Sequence, residues 1–182
     1  MEIEIKNIET KHAQTLRELQ LICFPSTDPD ELFFEKDLID YAEVFPEGNF
    51  VAVAGERVIG LGAGGFYTID FDDLTHSMHI PMHNSIGKWH SVEGEYYYGT
   101  DISVHPEYRR YGIGTKLYQA RKEIVKKYNK RGIIAGGFIP GFANHKDKID
   151  VSTYVEQVVA GTLYDSTLSF QIRHGFRVAG LL

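Results

Sequence analysis

Apolar residues in this chain change period several times, and each change marks an element. Ile3, Ile5 and Ile8 alternate with polar residues and predict a first strand, with Thr10 placed to cap the helix after it. Ala13, Leu16 and Leu19 give that helix one apolar face. Asp28, Pro29 and Glu31 form a helix-start pattern ahead of Leu32, Phe33 and Leu38. Asn49 to Ala54 and Arg57 to Ala63 are apolar runs divided by Gly55-Glu56, which predicts a β-hairpin.

From Tyr67 to Ser91 the period weakens, and the stretch reads as a long loop with room for a short helix. Tyr96 to Val104 is the next strand, ending at Pro106. Gly112 to Tyr128 follows as a strong helix, with Ile113, Leu117, Ala120, Ile124 and Tyr128 on one stripe. Ile133 to Gly137 reads as a buried strand, Val151 to Val159 and Ser166 to His174 as helices, and Phe176 to Leu182 as a final strand. Strands interleaved with helices predict an α/β layered domain, and the early hairpin requires a mixed sheet. Neither repeat nor low-complexity linker interrupts the pattern, so residues 1–182 read as a single domain.

Composition narrows the function. With 43% hydrophobic and 24% charged residues the chain falls among globular proteins, and its net charge of -6 argues against nucleic acid as a partner. Neither a signal-peptide apolar region nor a membrane-length apolar run is visible, so the expectation is a soluble, cytoplasmic protein without a membrane partner. The single cysteine, Cys23, fits a reducing compartment and reads as a small buried hydrophobe rather than a nucleophile.

The chemistry concentrates in VHPEYRRYGIGTKL, Val104 to Leu117. A strand runs through a short loop into a helix opened by Gly112 and Gly114. The first turn of a helix offers unpaired N–H groups and the positive end of the macrodipole, and glycine lets a phosphate approach without a Cβ in the way. Arg109 and Arg110 add positive charge and Thr115 a hydroxyl. Close packing against a sheet would also select glycine here. The dinucleotide fingerprint and the P-loop are both excluded by spacing.

The arrangement resembles the GNAT (GCN5-related N-acetyltransferase) superfamily, whose signature Arg/Gln-x-x-Gly-x-Gly/Ala after Val-x-Pro is matched by Val104, Pro106, Arg109, Gly112 and Gly114. Gly175-Phe176 matches the family's later Gly-Phe, and the order of elements agrees along nearly the whole chain. GGFIPGF (136–142) with LYDSTLSFQIRHGFRV (163–178) further resembles the GNAT domain sometimes fused ahead of a carbon–nitrogen hydrolase. In this family the sheet gains another strand after the Gly-Phe strand; the sequence stops at Leu182, so that strand is expected to be missing, lost to truncation, or supplied by a partner, which leaves a homodimer open.

The resemblance implies a mixed, mostly antiparallel sheet with splayed central strands and helices on both faces. It implies acetyl-CoA as co-substrate, an amine acceptor on a small molecule, peptide or protein, and no metal. The pyrophosphate would rest on backbone N–H groups of Arg110, Tyr111, Gly112, Ile113, Gly114 and Thr115, with Arg109 beside them. The pantetheine arm would pair with Ile102, Ser103 and Val104, where an N–H would stabilise the oxyanion. The attacking amine must lose a proton, so a base is needed, directly or through water. Family bases come from the face of Tyr96, Tyr98 and Thr100, so Glu95, Tyr98 and Thr100 are the candidate catalytic residues, with Glu95 as base. Asp101 is expected to face away unless a bulge re-aims it. The family's usual acid, a tyrosine, is replaced by Gln171, and Tyr164 lies further back. That departure keeps a second reading open, a module that binds acyl-CoA without turnover.

His76, His79, His83 and His90 read, with Trp89, as lining of the acceptor site rather than as metal ligands, and Asn144 and His145 belong to the same class. Lys122 to Arg131 reads as a solvated helix face, with the coenzyme's 3′-phosphate as its alternative partner.

Overall fold

A computed structural model describes residues 2–181, with the side chains of residues 76–78, 82 and 83 outside the description. Two compact units form, one up to Ala135 and one from Gly136 onward.

The first unit holds a five-stranded sheet in the order β1-β2-β3-β4-β5. Its strands are β1 (Glu4–Asn7), β2 (Phe50–Ala54), β3 (Arg57–Tyr67), β4 (Tyr96–Val104) and β5 (Ile133–Ile134). Neighbours from β1 to β4 are antiparallel, and β5 joins β4 in parallel. The sheet is therefore mixed and mostly antiparallel, as its hairpin requires. Gly55 turns that hairpin at φ +62, a conformation that costs glycine little.

Helices α1 (Ala13–Cys23) and α2 (Glu35–Val44) lie on one face, seen in the contacts of Gln20 with Ser103 and of Tyr41 with Thr100. Helix α4 (Ile113–Lys127) covers the other face, and α3 (Leu74–His83) lies between β3 and β4 in sequence. Leu16, Leu38, Leu61, Phe66 and Leu117 are fully buried in the core. Burial of such side chains is worth roughly 1.5–3 kcal/mol each. Among the described residues, no helix is long and apolar enough to cross a membrane.

The second unit contains α5 (Val151–Val159) and α6 (Leu168–Arg173) around Tyr154, Val155, Val158 and Leu168. Asp165, fully buried, organises it: the carboxylate accepts from the N–H groups of Gly141, Thr167 and Leu168 and from the Tyr154 hydroxyl.

Several expected elements differ. Asp28 accepts from the Asp30 N–H and caps only a 3-10 turn at Pro29–Glu31; α2 begins later, where the Phe34 N–H donates to Asp37. Thr10 lies inside a 3-10 turn instead of capping α1. The buried strand expected to reach Gly137 stops at Ile134, and residues 176–181 form no strand. At that last point Gly175, at φ +92, ends α6: its N–H returns to the Ile172 carbonyl, and that of Phe176 to the Gln171 carbonyl. A strand needs a ladder partner, and the unit from Gly136 onward presents none among its described residues.

Candidate coenzyme site

Strand β4 changes character half-way along. Tyr96, Tyr97 and Tyr98 pair with Tyr67, Phe66 and Gly65 of β3, and Tyr97 and Tyr98 also pair with β5. Then the register shifts: Gly64 opposes Gly99, whereas Ala63 opposes Asp101, so Thr100 is an extra residue with nothing opposite it. Beyond Tyr98 the ladder to β5 ends. The edge of β4 from Gly99 to Val104 is thus held by β3 alone within the sheet. The His105 N–H donates to the Ile59 carbonyl of β3 at 2.9 Å. By strand alternation Ser103 also points its backbone toward β3, and the N–H groups of Ile102 and Val104 point to the open edge.

The bulge also exchanges the faces. Before it, Tyr97 and Gly99 face α4, and Tyr98 faces the α1–α2 layer, where Trp89 packs edge-on against its ring. After it, Asp101 and Ser103 face α1: Ser103 Oγ donates to Asp101 Oδ1 at 2.9 Å and accepts from Gln20 Nε2 at 3.3 Å. Thr100 Oγ1 lies 2.8 Å from the Tyr41 hydroxyl on the same side. Asp101 is therefore re-aimed onto the face of Tyr98 and Thr100, the outcome that strict period-two alternation forbids. Burial raises the Asp101 carboxyl above the usual carboxylate range, with hydrogen bonds from Ser103 and Gln20 opposing the shift. Burial also pushes the half-buried Cys23 thiol up, away from the nucleophile's range.

The open half of β4 runs directly into the loop before α4. A short 3-10 turn at Pro106–Tyr108 is capped by His105, whose Nδ1 accepts from the Glu107 N–H. Arg109 Nε donates back to the Val104 carbonyl at 3.1 Å, fixing the loop against the strand end. Arg110 at φ +69 and Gly112 at φ +76 are both left-handed. A Cβ on Gly112 would meet nothing within 4 Å. Conformation rather than close packing therefore demands glycine there, and space above the loop stays clear. No side chain caps α4 at Gly112, and the first turn of a helix is where N–H groups can take an external acceptor. Arg109 and Arg110 are exposed beside them. An uncapped helix start, an adjoining open strand edge and two arginines together fit an elongated ligand with a phosphate part and an amide-bearing arm.

The other expected residues are dispersed. Glu95 is at the paired end of β4, in a surface ion pair with Arg131 at 3.3 Å, five residues or about 16 Å along the strand from Thr100. The structure does not bring it beside Tyr98 and Thr100. Tyr98 is buried and its hydroxyl is pushed up to about 12 by desolvation. His90 serves the core: Nδ1 accepts from the Phe66 N–H, the ring stacks on Phe45 at 4.4 Å, and burial lowers its pKa. Trp89 is buried, with its Nε1 donating to the Asn84 carbonyl. His79 lies on α3, and the side chains of His76 and His83 are outside the described residues. In the second unit Tyr164 is exposed, His145 packs on Tyr154, and the Gln171 amide lies against Gly137.

Sequence reading missed Arg121. It stands directly before the basic run Lys122 to Arg131, yet is 1% exposed and donates to backbone carbonyls of Ala63 and Asp101. Its spacing, four after Leu117 and three before Ile124, places it on the apolar stripe and was the available signal.

Comparison with known proteins bears on the family and the fold. The family model described as acetyltransferase (GNAT) family matches residues 13–143. A Bacillus subtilis protein named probable hydrolase YhcX is 36% identical over 172 residues, covering 94% of this chain and 33% of its own. The chain thus spans a third of that relative's length. The B. subtilis uncharacterized N-acetyltransferase YkwB is 32% identical over 174 residues, covering 95% of this chain and 77% of its own. Among solved structures, the loading GNATL domain of CurA from Lyngbya majuscula has a TM-score of 0.79 at 14% identity, covering 96% of this chain and 84% of that domain. The GphF GNAT-like decarboxylase in complex with isobutyryl-CoA gives 0.75 at 17% identity, covering 97% and 87%. At these identities the likeness concerns the fold.

Proposed function

We propose that this chain, which belongs to the acetyltransferase (GNAT) family, moves an acetyl group from acetyl-CoA to a primary amine by direct attack. The observation that carries this reading is the continuity of the opened half of β4 with the uncapped start of α4. Ile102 and Val104 would pair with the amides of the pantetheine arm, and the N–H groups from Arg110 to Thr115 would take the pyrophosphate. The solved isobutyryl-CoA complex of a similar fold supports a coenzyme A thioester as the ligand class. Acetyl as the acyl group and an amine as acceptor follow the family and the name of the N-acetyltransferase relative.

Proton handling follows from the bulge. An amine with pKa near 10 is mostly protonated at neutral pH and needs an acceptor for its proton. Of the acidic side chains weighed, Asp101 rather than Glu95 belongs to the opened half, and its raised pKa suits a base working through water. Thr100 and Tyr41 supply hydroxyls beside it. Departure of the thiolate, of pKa about 8.5, needs no dedicated acid, so Gln171 in place of tyrosine is compatible with turnover. The acceptor is a small-molecule, peptide or protein amine, with the chain's net charge of -6 favouring a cation.

Calorimetric titration with acetyl-CoA, on the wild type and on Gly112→Asp, tests the coenzyme site. Binding lost in a variant that keeps its circular dichroism supports the reading, and an amine screen following free thiol then separates turnover from binding alone. A wild type that ignores acetyl-CoA at about 1 mM, a threshold near -4 kcal/mol, sinks it.

A further inference from the structure

Burying an arginine is costly unless its charge and donors are met, and a residue so placed has a task that an apolar side chain would not perform. Arg121 is buried to 1% exposure. Its guanidinium donates to the carbonyl of Ala63, at 2.7 Å, and to that of Asp101. These two residues oppose each other across β3 and β4 at the step where the register breaks. The rings of Tyr97 and Tyr118 lie 5.5 and 5.6 Å from Cζ, and Nε has no hydrogen-bond partner among the described residues. One glycine makes room for it: a Cβ on Gly99 would stand 3.0 Å from Nη1. From the opposite face Ser103 and Gln20 hold the Asp101 carboxylate. The peptide after the extra residue is thus gripped from both helical layers, with Nη2 of Arg121 donating to both strands there.

We propose that Arg121 is a positioning residue for the acyl-coenzyme, holding the Thr100 bulge so that the N–H groups of Ile102 and Val104 stay aimed at the pantetheine arm. This rests on the coenzyme reading above. It assigns the two parts of the ligand to different supports: the arm depends on Arg121, whereas the phosphates depend on the loop from Arg109 to Thr115.

The test compares coenzyme A with adenosine 3′,5′-bisphosphate, a fragment lacking the arm, by calorimetry on the wild type, Arg121→Lys and Arg121→Met. Loss of a charged hydrogen-bond donor should weaken coenzyme A about tenfold or more in Arg121→Met while the bisphosphate changes less than about twofold. Lysine, which keeps the charge on a single nitrogen with a shorter reach, should fall between. Equal weakening of both ligands, or of neither, reduces Arg121 to a core filler and overturns the proposal. A wild type that binds neither ligand brings down the coenzyme reading, and the proposal with it. Should Arg121→Met fail to fold, Gly99→Ala decides: its methyl presses on Nη1 and should shift the same affinity ratio, whereas wild-type binding of both ligands would refute the clasp.

Discussion

The two halves of β4 share one backbone and one sheet but do opposite work. From Tyr96 to Tyr98 the strand is paired to β3, and at Tyr97 and Tyr98 to β5 as well; Tyr97 and Tyr98 are buried, and the Tyr97 hydroxyl donates to the Gly48 carbonyl. From Gly99 to Val104 only β3 pairs with it, and polar groups replace the rings: Thr100 with Tyr41, Asp101 with Ser103. The single unpaired residue, Thr100, lies just inside the open half. On the proposed coenzyme reading, stability concentrates in the closed half and ligand recognition in the open one, and each can be perturbed with limited effect on the other.

The sharpest division should come from Phe66→Ala. Phe66 pairs with Tyr97, is fully buried, and packs against Phe45 and Tyr128. Its loss should cost about 3–5 kcal/mol of stability by calorimetry, with coenzyme affinity retained below the melting point. Gly112→Asp should do the reverse, weakening coenzyme A on the order of a hundredfold, about 2.7 kcal/mol, at a folding cost of about 1 kcal/mol, because aspartate tolerates the left-handed region better than most residues. If its melting point instead falls as far as that of Phe66→Ala, the division between the halves is wrong.

Asp101→Asn sharpens the comparison through pH. The folded-state pKa of Asp101 lies above its unfolded value, so the ionised carboxylate costs stability at neutral pH, and that cost fades as pH falls through the raised pKa. The melting-temperature advantage of the asparagine variant over wild type should accordingly be larger at pH 7 than at pH 4. The smallest effect belongs to Glu95→Gln, which removes an exposed ion pair with Arg131 and should change stability by less than about 0.5 kcal/mol. Acetyl transfer that collapses in this variant would return the base to Glu95.

The contrast also marks where sequence reasoning succeeds. The bounds of β4 and the start of α4 were legible because period and glycine spacing are local signals, and Val104 to Thr115 lie where those signals put them. The bulge was not, because the extra residue exists only relative to β3, and nothing within Gly99-Thr100-Asp101 announces it. Arg121 escaped because charge was weighed before position, although its spacing lay on the apolar stripe. His90 misled for a similar reason: a histidine amid loop polarity looked like lining, while its ring completes an aromatic cluster with Phe45 and Phe66. The expected strand after Gly175 failed for want of a neighbour, a condition that local propensity does not encode.

The room made for Arg121 by Gly99 has an evolutionary corollary. Two positions from separate stretches of chain form one lock, so change at either is constrained by the other. In descendants of this sequence, a side chain at position 99 should coincide with a shorter residue at position 121, and the long cation should persist only where Gly99 does. Covariation of those columns would be the inherited trace of the clasp.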